Sequence, residues 1–152
     1  MSRIVLRIVL QVVVAVALTL LLAGLYFWLV LGETPANAFF DQAVLLVLGF
    51  IDVGILVWLG LLILGGARKR GIGWGFGGSL VAALIGAVAN LVWIVIISIV
   101  NGGADIFAIA LGVQAAIFFL IGVVLAELLV RRVLLRDPPA DTAKEPDAAP
   151  GA

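Results

Sequence analysis

Four apolar runs decide what this chain can fold into: Ile8–Leu31, Ala43–Leu64, Gly75–Val100 and Ile106–Val130. By these bounds each is 22 to 26 residues long. A helix rising ~1.5 Å per residue needs roughly 20 residues to cross a ~30 Å hydrocarbon core. None of the runs alternates apolar and polar residues with a period of two, as the strand of a membrane barrel does. Helices are then the form that pairs every backbone N–H and C=O within the segment. With 65% hydrophobic and only 12% charged residues, the chain has about half the charge of an ordinary soluble surface. It reads as an all-α, polytopic membrane protein with no length left for a second folded domain.

The connections "GETPANAFFDQ", "GGARKRGIGWG" and "NGGAD" are short, which forces neighbouring helices antiparallel and predicts a four-helix bundle over residues 1–136. The tail Asp137–Ala152, rich in Pro, Ala and acids, is expected to be disordered, with Pro138 and Pro139 stopping the last helix. All nine basic residues fall on one side of these spans: Arg3, Arg7, Arg68, Lys69, Arg70, Arg131, Arg132, Arg136 and Lys144. The opposite connections hold only Glu33, Asp41 and Asp105. The positive-inside rule places both termini in the cytoplasm of a multi-pass protein. Ala36-Asn37-Ala38 looks like a signal-peptidase site, but the preceding apolar run exceeds the 7–15 residues of a signal peptide, so an uncleaved first helix is expected.

The chain has no Cys and no His. Disulfides, thiolate chemistry, Cys/His zinc sites and His-dependent catalytic triads are therefore excluded. "GIGWGFGG" (Gly71–Gly78) follows no strand and is not completed by Gly-Lys-Ser/Thr, so it is not a nucleotide loop. Its glycines suit a tight turn against the bilayer with Trp74 as an interfacial anchor. Arg68, Lys69 and Arg70, with Arg131 and Arg132, read as topology determinants that can also meet anionic lipid head groups. Glu127 lies four residues before Arg131 and reads as an i, i+4 ion pair at the interface. Tyr26, Trp28, Phe39 and Phe40 read as an outer aromatic belt.

Asp52 is the least expected residue in the spans. Counted from the outer end of each run, Asp52 is nine residues in, Asn90 ten and Gln114 eight, so all three lie roughly 12–15 Å below the outer boundary. An ionised aspartate near mid-bilayer costs about 2.5–3.5 kcal/mol even on the lenient insertion scale, so it is expected to bind a proton or find a partner. No Lys or Arg shares its depth, whereas both amides can donate to a carboxylate. The expectation is a cluster of Asp52, Asn90 and Gln114 on inward faces. Three roles stay open for it: an interhelical hydrogen-bond clasp, a proton or cation pathway, and a contact with a partner protein.

Small residues recur at i, i+4 spacing: Gly78, Ala82 and Gly86, then Ser79, Ala83 and Ala87, then Ala108, Gly112 and Ala116, with Gly122 and Ala126. They fit close helix contact inside the bundle or between copies of the chain. "LLVLGFIDVGILVWLGLLILGG" (Leu45–Gly66), with its mid-helix Asp52, resembles the second helix of the YqhA-like bacterial inner-membrane proteins. "AELLVRRVLLR" likewise resembles the basic end of that family's last helix. The resemblance implies a four-helix inner-membrane bundle and assigns no chemistry. No nucleophile or acid–base pair converges in the sequence, and no metal, cofactor or nucleic acid is called for. The expected role is structural, accessory or in assembly, the partners being the bilayer and a second copy or a larger membrane complex. The alternative is an oligomeric proton- or cation-conducting protein using Asp52.

Overall fold

The computed structural model describes residues 3–67, 76–103 and 105–134. Every element among them is helical: α1 (Arg3–Leu29), a π-helical stretch (Asn37–Gln42), α2 (Ala43–Phe50), α3 (Asp52–Ala67), α4 (Phe76–Val100) and α5 (Ile106–Leu134). Three of the helices are long and apolar enough to cross a membrane. Residues 37–50 and 52–65 would make a fourth span only as a pair, and they are bent by 61° where they meet. The run Ala43–Leu64, expected as one helix, is thus two half-helices. The expected tail Asp137–Ala152, the cluster Arg68-Lys69-Arg70 and the anchor Trp74 lie outside the described residues.

The expected loop at residues 32–42 is also partly helical. Gly32, at φ +74°, takes the left-handed conformation that ends α1, a geometry that costs glycine no Cβ clash. A new helix then starts at Pro35. Proline fits a first helical position because its missing N–H would have no partner there. Thr34 caps it, Oγ1 accepting from Asn37 N at 3.4 Å. The widened turns that follow bury Ala38 and lay the ring of Phe39 over Gly24, where a Cβ would have to stand. At the far connection Gly102 and Gly103 have φ of +113° and +144°, and Asp105 Oδ1 accepts from Phe107 N at 3.0 Å to start α5.

Neighbouring helices run antiparallel along α1/α5, α4/α5 and α3/α4. In the first pair Arg7 meets Glu127 and Tyr26 meets Phe118. In the second Ile94 lies over Gly112, and in the third Gly54 meets Gly86. The π-helical stretch and α2 pack on α1, and α3 packs on α4, so the two halves of the bent pair lean on different neighbours. The buried face of α1 is Gln11, Ala15, Thr19, Ala23 and Phe27, one residue every four.

Small residues make these approaches possible, within the chain rather than outside it. Ser79, Ala82, Ala83, Gly86 and Ala87 are buried on α4, as are Gly112, Ala116, Gly122 and Ala126 on α5. A Cβ on Gly86 would stand 2.5 Å from Gly54 O. Trp58, fully buried, meets Phe119 edge-on at 5.4 Å. The expected aromatic belt divides: Trp28 and Phe40 are exposed, whereas Tyr26 packs on Phe118 and Phe39 turns in to Gly24.

Candidate functional site: the broken helix and two polar clusters

The break at Ile51 (φ −137°, ψ 7°) has a specific cause. In a continuous helix Phe50 O would accept from Gly54 N. Here the fully buried side chain of Asn90 stands between them, its Nδ2 donating to Phe50 O and its Oδ1 accepting from Gly54 N at 3.2 Å. One amide side chain thereby replaces one rung of the ladder and satisfies both groups, as an insertion at a kink must. Gly54 and Gly86 permit it, because only side chains this small let α4 bring Asn90 so near the backbone of α3. Two ladder bonds persist across the joint, Ile51 N to Val47 O at 3.2 Å and Ile55 N to Ile51 O at 3.0 Å.

Asp52 opens α3. Its Oδ1 accepts from Val53 N at 2.7 Å, a carboxylate at the positive end of a helix. The expected cluster does not form. Asp52 is exposed on the outside of the chain, Asn90 is occupied by the backbone of the break, and Gln114 is half-buried on α5. Among the described residues no hydrogen bond joins any two of the three. The bend turned Asp52 outward and gave Asn90 to Phe50 and Gly54, which equal depth alone cannot foresee.

A second polar cluster lies at the opposite end of α1, built around Glu127, which is 1% exposed. Its Oε1 accepts from Arg131 Nε at 3.0 Å, the expected i, i+4 pair, and also from Arg7 Nη2 at 3.2 Å. Its Oε2 accepts from Gln11 Nε2 at 2.5 Å, and the same nitrogen donates to Ser79 Oγ at 2.6 Å. Four side chains around one carboxylate thus tie α1, α4 and α5 together. The reading from sequence paired Glu127 with Arg131 alone. Counted from the inner ends, Gln11, Ser79 and Glu127 lie three to four residues inside their runs, which makes them candidates to meet without deciding that they do. Arg132 beside it is exposed, and Arg68, Lys69 and Arg70 lie outside the described residues.

Chemically, each oxygen of the Glu127 carboxylate holds at least one donor. At the break, by contrast, Asp52 is an acid exposed at the chain's surface. Among the described residues no group of three or more His, Cys, Asp and Glu side chains could hold a metal ion. The class these observations define is an all-helical protein with helices suited to a membrane. Compared with protein-family models, with curated proteins and with solved structures, the chain matches none of them.

Proposed function

We propose that this chain is a non-enzymatic subunit of a membrane assembly. It forms a four-span bundle of the bacterial inner membrane, both termini cytoplasmic, that packs against itself or a larger complex. The observation that carries the reading is Asp52, exposed at the bend between α2 and α3. Lipid does not solvate a carboxylate, so such a surface calls for cover by protein or water. Most of the small residues in the α4 and α5 stripes are already buried within the chain, Gly78 and Ala108 being half-buried, which favours the α2–α3 face for the expected contact. Extraction from native membranes in a mild detergent, followed by native mass measurement, tests this. Particles holding more than one chain are expected, and single-chain particles would refute it.

Orientation is tested separately, and the absence of Cys makes the test simple. In intact cells Asn101→Cys is expected to react with a membrane-impermeant maleimide, and Arg132→Cys only after permeabilisation. The reverse pattern would invert the topology. A second reading has one observation in its favour. A helix interrupted beside an acid at mid-depth is the arrangement with which transporters hold protons and cations. If Asp52 conducts, vesicles loaded with a pH-sensitive dye will show a proton flux that Asp52→Asn abolishes.

A further inference from the structure

The outward face of α2 and α3 is a row of exposed leucines interrupted by one acid. Leu45, Leu48 and Leu56 are 63%, 63% and 66% exposed, and Ile63 is 52% exposed. Leu45, Leu48 and Gly49 are exposed together on α2, and Asp52, Leu56 and Ile63, at four- and seven-residue spacing, are exposed on one side of α3, the two sets meeting at the 61° bend. At Gly49 nothing lies within 4 Å of where a Cβ would stand, so the row has a dent one turn from the acid. Among the described residues the Asp52 carboxylate has one bond, with Val53 N of its own helix.

Which occupant suits this face follows from where the chain keeps its charges. Its nine Lys and Arg residues all lie at or beyond the ends of the apolar runs, and none reaches the depth of Asp52. A second copy of the chain would therefore bring a second carboxylate toward the first and no cation to answer it. Intramembrane acids are met by basic side chains on neighbouring helices or by a polar cavity, and opposite charges at matched depth select partner and register together.

We propose that this face docks a transmembrane helix of another protein that carries Lys or Arg near its midpoint. The leucine row packs along that helix, Gly49 allows close approach, and Asp52 pairs with the cation. The proposal rests on the assembly reading above and names the partner's chemistry.

The test uses the full chain in vesicles with dye-labelled leucine–alanine transmembrane peptides, one with a central Lys and one with a central Leu. Energy transfer is expected to report at least tenfold tighter association of the Lys peptide, and Asp52→Asn is expected to abolish that preference. Asn keeps an oxygen for Val53 N, so this variant retains the start of α3. Equal association of the two peptides, or a Lys preference that survives Asp52→Asn, would overturn the proposal. In Leu56→Cys, disulfide-linked dimers that persist under excess Lys peptide would also overturn it, giving the face to a second copy. Multi-chain particles from native membranes combined with peptides that bind alike would sink this proposal and leave the assembly reading standing. Single-chain particles would remove both.

Discussion

Asn90 is one residue doing the work of a peptide unit, and its removal strands two backbone groups. Asn90→Leu leaves Phe50 O and Gly54 N without their partner, at about 1–3 kcal/mol for each group. A loss of that size is expected in unfolding from micelles followed by tryptophan fluorescence, and an unchanged midpoint would contradict the splint. Glu127 acts differently, because its partners reach toward the interface. The side chains of Arg7 and Arg131 are 15% and 33% exposed, which lowers the cost of breaking the network below that of a fully buried pair. Glu127→Gln is expected to lose about 1–3 kcal/mol, less than the 3–5 of such a pair. Glu127→Leu is expected to lose more, because it also deprives Gln11 of its acceptor. Sequence spacing alone revealed the pair with Arg131, four residues away on one helix. Arg7 and Gln11 are more than a hundred residues distant, and only folding decides which of several equally deep side chains meet.

Among elements, the bent pair is where expectation and structure part most clearly. Nothing in "VLGFIDVGIL" forces a kink: it holds no proline, and its glycines at 49 and 54 are tolerated in membrane helices. The kink is imposed from α4, through Asn90 and the contact of Gly86 with Gly54. This gives a paired prediction. Gly86→Leu must displace α4 from Gly54 O and carry Asn90 away from the break, so the helix pair loosens and the fold is destabilised by about 1–3 kcal/mol, the usual cost of overpacking. Gly49→Leu meets open space in the single chain and is expected to leave folding unchanged while weakening association at the α2–α3 face. Unfolding midpoints and particle mass, measured on both variants, separate the two effects. The start at Thr34-Pro35 was legible in principle, since a Thr cap followed by Pro is a helix-start pattern. Reading those residues as a loop overlooked it.

At the scale of the whole molecule, a protein built this way lives or fails by its outer surface. If the α2–α3 face is an interface, Asp52→Leu should leave the isolated bundle folded, losing only the cap on Val53. In native membranes, however, the same variant should be extracted as smaller particles than the parent chain; particles of unchanged mass would argue against the interface. Much about this chain was determined by sequence alone: helices rather than strands, and the approximate extent of each apolar run. Those properties depend on composition and on local backbone hydrogen bonding, which every segment satisfies by itself. The bend at Ile51, the outward turn of Asp52, the capture of Asn90 by the broken helix and the four-way network at Glu127 were decided only by tertiary structure. Each depends on which helices pack and how closely their backbones approach. In a chain this uniformly apolar, hydrophobicity does not choose those neighbours; small residues and a few polar side chains do.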